Sequence, residues 1–513
     1  MCTISRSIMF CLLLYLTSAN TLWGQQERVL TYDETVRIAL GQSFTVKSYQ
    51  EEKNSVLHYF RFRQAMFRPR MDFTLFAPQW NENVISVQRA DGLPVYNSFG
   101  SMQTGGNVQF TYPLPTGGNF ALRTLMYRDN QISTLALQDY TQLKNNQAYT
   151  SLSLSFSQPL FTRNTLDENL DEARYQLERT SSVFTREQMN IIYNVTNEFY
   201  RVYRATRNVE IAREKLSHSE ESLRIAQLLA KSGRIPEGDV LISEVDNATN
   251  QADLSQAINE LERRKDDLKQ LIGLDLSEKI SIVTDLVYDT VTVDLQNAIH
   301  SALENRLELK ESDYAIKLQQ IELDRARRIR ELSGEITAYY DITGVSTLGT
   351  GTTDELFQSS FNNINDRPPN RGVTFTLSYP IFDWGRGRER VQQETATLRQ
   401  QELTKENLRV TIIKEVRDVV RSVKEAQNRL EIHKRNQDVA QRSYQISRIR
   451  FENGDISSQD LSRQQERLAQ ARLDYLDAYI TYQLSLADLK RKTLWDFENS
   501  RSYLREDFFT INQ

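Results

Sequence analysis

The sequence predicts an α+β fold in which very long coiled-coil helices join membrane-spanning β-strands, laid out as two tandem structural repeats. Three observations predict it. Motifs recur in the same order at a fixed spacing, glycine and proline are missing from three long stretches, and between two of those stretches the apolar period changes from helical to strand-like.

The repeat comes first, because self-similarity decides how everything else is counted. Gln158-Pro159-Leu160-Phe161 returns as Tyr379-Pro380-Ile381-Phe382, 221 residues on (159 to 380). Gly233-Arg234-Ile235, with Asp239 behind it, returns at the same spacing as Gly454-Asp455-Ile456 with Asp460 behind it. Between these anchors Ile192, Val195, Phe199 and Val202 fall on Ile413, Val416, Val420 and Val423. At the front of each half, Ala39-Leu40 corresponds to Ala302-Leu303 at a spacing of 263. The first half therefore carries 42 extra residues (263 − 221), placed between about Pro69 and Pro159. The expected division is 1–24, then a first repeat over 25–275 and a second over 276–513.

Glycine and proline are absent between Leu160 and Ser232, between Arg388 and Asn453, and from Asp455 onward. Those stretches are filled with Ala, Leu, Glu, Gln, Arg and Lys, all strong helix formers. Ile192, Val195, Phe199 and Val202 step by 3, 4 and 3, the seam of a coiled coil. Long helical hairpins are expected over 160–272 and 383–497. An unbroken helix from 160 to 231 would be roughly 100 Å long at 1.5 Å per residue, a rod or the wall of a tube.

Glycine and proline gather in 69–159 and 334–387, and there the period becomes two. Ser151-Leu-Ser-Leu-Ser-Phe-Ser157 and Val373-Thr-Phe-Thr-Leu-Ser-Tyr379 alternate without error; Asn107–Tyr112 and Ile336–Ile342 do so less strictly. Strands are expected within about 70–158 and 335–380. Alternation with interfacial Tyr and Phe fits a transmembrane barrel, although a soluble sheet with one wet face shares the pattern. In a bilayer the sheet must close so that no backbone group is left unpaired. Two strands from each repeat, four per chain, cannot close alone, so a barrel shared within an oligomer is expected.

The N-terminus favours the membrane reading. Arg6, the apolar run Ile8–Leu16 and the small or polar residues Thr17–Asn20 have the order of a secretory signal peptide, with cleavage after Ala19 or Gly24. Cys2 and Cys11, the only cysteines, lie inside it, so the mature chain would have no disulfide or thiol chemistry. No later stretch approaches 18 apolar residues, so any membrane entry must be by strands. A net charge of −5 over 513 residues gives no footprint for nucleic acid.

With its two-fold repeat, its Gln-Pro-Leu-Phe and Tyr-Pro-Ile-Phe strand-to-helix junctions and its paired Gly-to-Asp motifs, the chain resembles the TolC family of outer-membrane factors over nearly its whole mature length. The resemblance implies a homotrimer with a twelve-stranded barrel in outer-membrane lipid above a long α-helical barrel crossing the periplasm. It implies helical tips at Gly233, Arg234, Ile235, Gly454, Asp455 and Ile456 that meet a periplasmic adaptor, or membrane fusion, protein. That adaptor would link the duct to an inner-membrane RND or ABC transporter, and substrates would leave passively through the lumen.

Asp239 and Asp460 open the returning helices, where a carboxylate caps N–H groups and suits the positive dipole end. The sharper alternative makes them, with Phe451, a pore gate: an acidic ring that selects cations. The family constricts its mouth with an aromatic and charged network. Here Phe451 stands where some members carry Tyr, Ile456 where some carry Arg, and Arg463 where some carry a second Asp.

No feature supports an enzyme, a metal or a cofactor. His58, His218, His300 and His433 are scattered without ligand spacing. Trp384-Gly-Arg-Gly-Arg388 lacks the third glycine and the βαβ setting of a dinucleotide loop and reads as a junction. No phosphate-binding loop is present, so energy must come from a partner. The segment Thr111–Gly118 inside the 42-residue excess could turn an extra hairpin or lengthen a strand; an extended extracellular loop is the favoured expectation. A secreted coiled-coil protein that spaces the cell envelope is the competing function.

Overall fold

The computed structural model describes residues 27–135, 141–283, 291–346, 348–453, 455–497 and 501–503. The expected signal peptide, 1–24, lies outside them, as does Gly454. The chain separates into two compact units: the described parts of Met1–Lys53, Thr180–Asp313 and Leu403–Gln513 form one, and Asn54–Arg179 with Tyr314–Glu402 the other.

The helices carry the repeat into three dimensions without loss of register. Helices α1 (Tyr32–Gln42) and α5 (Leu295–Asn305) have 11 residues each, and α2 (Phe44–Ala65) and α6 (Leu307–Arg328) have 22. Helices α3 (Thr165–Lys231) and α8 (Arg386–Glu452) have 67, and α4 (Glu237–Ile272) and α9 (Ser458–Thr493) have 36. The first two pairs are spaced by 263 and the last two by 221, the two spacings of the sequence. Both α4 and α9 stop at a left-handed residue, Gly273 at φ 79° and Leu494 at φ 51°. At Gly273 a Cβ would stand 2.5 Å from the Gln42 carbonyl oxygen, so glycine is required there for space as well as for φ.

The seam runs one residue earlier than the expected Ile192 and Ile413. In α3 the buried stripe is Ile191, Val195, Phe199 and Val202; in α8 it is Ile412, Val416, Val419 and Val423. Stepping by 4 and 3 from these residues keeps one face inward at 3.6 residues per turn. Ile192 packs instead beside Met189, Leu307 and Leu494. The main core of this unit gathers Phe199, Leu268, Ile272 and Tyr482 with Leu30 and Ile280. The last two arrive on a parallel pair, β1 (Arg28–Leu30) and β6 (Ile280–Ile282). Tyr32 and Tyr200 each meet the Phe199 ring edge-on at 5.8 Å.

In the other unit a six-stranded antiparallel sheet has the order β2 (Arg70–Gln88), β3 (Pro94–Pro113), β4 (Asn119–Thr134), β5 (Gln142–Leu160), β7 (Ser333–Val345) and β8 (Asn370–Ser378). Four strands come from the first repeat and two from the second, which corrects the expected two from each. The 42-residue excess is the pair β3–β4, and it is strand rather than extended loop. Its hairpin turns at Leu114–Gly118, where Leu114 N–H donates to the Gly118 carbonyl at 2.7 Å and Gly117 takes φ +88°.

Cross-strand partners share a face, so the pairing sorts side chains into two surfaces. One row reads Met71–Phe110–Leu122–Leu154–Tyr340, and its neighbour Phe73–Val108–Thr124–Leu152–Ile342. The alternate row reads Asp72–Gln109–Arg123–Ser153–Asp341–Asn370. The apolar face is bare: Met71, Phe73, Leu75 and Val373 are each at least 70% exposed. Helix α7 (Thr353–Asn362), started by a Thr352–Glu355 capping box, covers part of that face, beside Ala148, Thr150 and Gly344. A Cβ on Gly344 would collide with the Ser360 carbonyl, so the helix lies against bare backbone.

Candidate functional site

The sequence-predicted residues fall into two groups, one in each unit. The first is the pair of turns that closes α3 onto α4 and α8 onto α9. At the first, Gly233 takes φ +71° with nothing within 4 Å of a Cβ, and Arg234 N–H donates back to Leu229 at 2.9 Å. At the second, Asp455 N–H donates to Arg450 at 2.8 Å, the same bond 221 residues on. At the first, the left-handed Gly233 lets the next N–H reach a carbonyl five residues earlier. Arg234 and Asp455 are exposed, and Ile235 and Ile456 half-buried.

The returning helices differ in how they start. Helix α9 has Ser457 as its N-cap: its Oγ accepts from Asp460 N–H at 3.1 Å and donates to Asp460 Oδ2 at 2.8 Å. The Ser457 hydroxyl, then the Arg463 guanidinium, hold the Asp460 carboxyl below the ordinary aspartate range. Helix α4 starts at Pro236, which offers no side-chain cap. Asp239 and Asp460 therefore occupy the third helical position rather than the cap itself. There a carboxylate favours the positive end of the dipole.

The two turns are joined by a contact that sequence spacing did not reveal. Ser243 Oγ of α4 lies 2.7 Å from Ser458 Oγ of α9, and both side chains are buried. Ser243 also donates to the Asp239 carbonyl at 3.0 Å. Phe451 is 1% exposed, packed with Tyr444, Leu461 and Leu468, with Ile456 against them. Its role here is packing of the second turn. Nearby, burial holds the His218 imidazole below its ordinary pKa, its ring 5.4 Å from that of Tyr444.

The second group, in the sheet-bearing unit, is the strand-to-helix junctions. Pro159 and Leu160 still pair with Glu335 and Gly334 before Phe161 turns the chain at φ 60°. After Pro380, Phe382 and Trp384 meet edge-on at 4.8 Å, and Trp384 and Gly385 both take positive φ. The Asp383 carboxylate then accepts Gly387 N–H at 2.8 Å and Gly385 N–H at 2.9 Å, which starts α8 and lowers its pKa. Tyr379, Ile381, Phe382 and Trp384 are all at least 60% exposed at this end of the sheet, a girdle suited to a membrane–water interface.

Among the described residues no group of His, Cys, Asp or Glu is arranged to hold a metal, and no helix is long and apolar enough to cross a membrane. What the sheet offers is a bare apolar face, a polar face and an aromatic border. Residues 126–274 and 298–493 match the model of the outer membrane efflux protein family.

The chain belongs to that family.

It is a channel family rather than an enzyme family, and this efflux protein is an outer-membrane exit duct that extends into the periplasm. The exposed apolar face of its sheet suits contact with lipid. Its fold is similar to that of the Campylobacter jejuni CmeC outer membrane channel: TM-score 0.64, 14% identity, over 90% of this chain and 85% of that one. It is similar too to the outer membrane protein VceC of Vibrio cholerae, with TM-score 0.62 and 14% identity over 90% and 95%. The MtrE outer membrane channel of Neisseria gonorrhoeae, in its open state, matches with TM-score 0.62 and 12% identity over 91% and 89%. No curated protein matches the sequence.

Proposed function

We propose that three copies of the efflux protein form one passive duct, fed by a periplasmic adaptor protein and an inner-membrane RND or ABC transporter. The observation that carries the assembly is the pair of sheet edges. Among the described residues, strands β2 and β8 each have one neighbour. In lipid an unpaired edge costs several kcal/mol per backbone group, so β8 of one copy must meet β2 of the next until the ring closes. Exposed Arg234 and Asp455, with Ile235 and Ile456 beside them, and Gly454, form the surface offered to the adaptor. Asp239 and Asp460, repeated around the ring, are the candidate acidic gate, and Phe451 supports it by packing the second turn.

Single-channel recording of the purified mature chain in planar bilayers tests this, with Asp239→Ala/Asp460→Ala as the comparison. A discrete pore whose cation preference falls in the double variant is the expected result. An unchanged pore would return both aspartates to a purely helix-starting role. Failure of folded protein to insert would overturn the duct.

A further inference from the structure

We propose that the membrane barrel of the assembled duct has eighteen strands, six from each of three copies, and so a vestibule for larger hydrated solutes than twelve strands would enclose. This rests on the trimer proposed above, and on one feature of this chain: the inserted β3–β4 hairpin.

The insert is built as wall. Strand β3 pairs with β2 along seventeen positions and β4 with β5 along sixteen, with one irregularity, at Phe76/Gln79. A plug in the lumen or a flap on the surface would have no use for an apolar face aligned with that of the wall. The inserted strands have one: Phe110 and Leu122 stand directly between Met71 and Leu154. On the other face Gln109 and Arg123 stand directly between Asp72 and Ser153. The hairpin turn is tied to the end of the sheet from which α3 departs. Gln158 Nε2 donates to the Thr116 carbonyl at 3.0 Å, and Asn164 Nδ2 to the Pro115 carbonyl at 2.9 Å. A Cβ at Gly118 would lie 2.5 Å from the Ser157 carbonyl oxygen, so strand and turn are in direct contact. An inserted hairpin of two strands also keeps the first and last strands of the sheet running in their original directions, so closure between copies is undisturbed. Barrel diameter rises roughly linearly with strand number, and barrels of 16–18 strands hold an aqueous channel. Eighteen strands would widen the vestibule about 1.5-fold over twelve.

Cysteine labelling reads the wall directly, because the only native cysteines are Cys2 and Cys11. Single variants Gln109→Cys and Arg123→Cys should react with a membrane-impermeant maleimide and lower the conductance. Phe110→Cys and Leu122→Cys should resist it in the reconstituted channel and, carrying a fluorophore, be quenched by brominated lipid. Reaction of all four from water, or of none, would overturn the proposal. Native mass spectrometry counts copies independently: a ring of two or four copies would sink the trimer while leaving six strands per chain. As a second arm, polyethylene glycols of graded size added on the sheet side should enter the wild type to a hydrodynamic radius about 1.5-fold larger than in a chain lacking 94–134. Equal cut-offs in two well-inserted channels would refute the wider vestibule.

Discussion

The helices of the two repeats match residue for residue in length, while their strands differ by a whole hairpin and by helix α7. The contrast follows from what each element tolerates. One residue added to a helix turns everything beyond it by about 100°, which carries a buried stripe out of its groove. A hairpin added to an antiparallel sheet moves the flanking strands apart but leaves both paired and running in their original directions. Four helix pairs have kept their lengths because the seam demands it; the sheet has grown by the one unit that costs its neighbours nothing in register.

The largest effect should come from breaking the helical side of that comparison. One alanine inserted after Thr206 in α3 would rotate Val209, Ala212, Ala226 and Leu229, all buried, away from their partners. Heat-sensitive, SDS-sensitive chains in place of a stable oligomer are expected on unheated gels. Gly-Ser inserted after Ala90, in the β2–β3 turn where Gly92 already takes φ +81°, should leave the oligomer intact. Equal tolerance at both sites would show that the matched helix lengths are not set by packing.

A smaller effect should separate the repeats within the shared seam. Phe199 is fully buried between Tyr32 and Tyr200, whereas its mate Val420 is only partly buried. Phe199→Ala should cost about 3–5 kcal/mol, and Val420→Ala clearly less, because fewer contacts are removed and less cavity is left. Denaturant unfolding of the two variants decides it, and equal losses would mean that the mates are equivalent in packing.

The helices were legible because the absence of glycine and proline is an unambiguous signal and because both spacings survive in the fold. Alternation was legible only where it runs clean, as in Ser151–Ser157. In β2 the irregularity between Phe76 and Gln79 shifts parity midway, so that Met71, Phe73 and Leu75 are followed by Trp80 and Val84. Pro78, which has no N–H to pair, sits at that bulge on an edge strand. In β4, Leu125 and Tyr127 put apolar groups on the polar face, and Tyr127 stacks on Tyr149 at 4.7 Å. Those two departures hid β2 and β4 and produced the undercount. The Ser243–Ser458 contact was illegible for another reason. Under the 221 spacing Ser243 maps to Gln464 and Ser458 to Glu237, so neither serine is repeated.

The finest difference lies between the two turns, and pH should expose it. Asp460 is held below its ordinary pKa by the Ser457 hydroxyl and Arg463. A carboxylate depressed in the folded state stabilises that state at neutral pH, and the contribution is lost as pH falls through and below the ordinary aspartate range. Asp460→Asn should therefore lower the melting temperature of the oligomer slightly at pH 7, with the gap to wild type closing as pH falls below the ordinary aspartate range. Ser457→Ala should cost about 1 kcal/mol through loss of the cap, and should also shrink the acid-dependent part, because it removes the leading cause of the depressed pKa. Melting curves for the two variants from pH 7 to pH 3 test the pair. A pH profile that Asp460→Asn changes but Ser457→Ala leaves as in the wild type would mean that the serine cap does not set the Asp460 carboxyl.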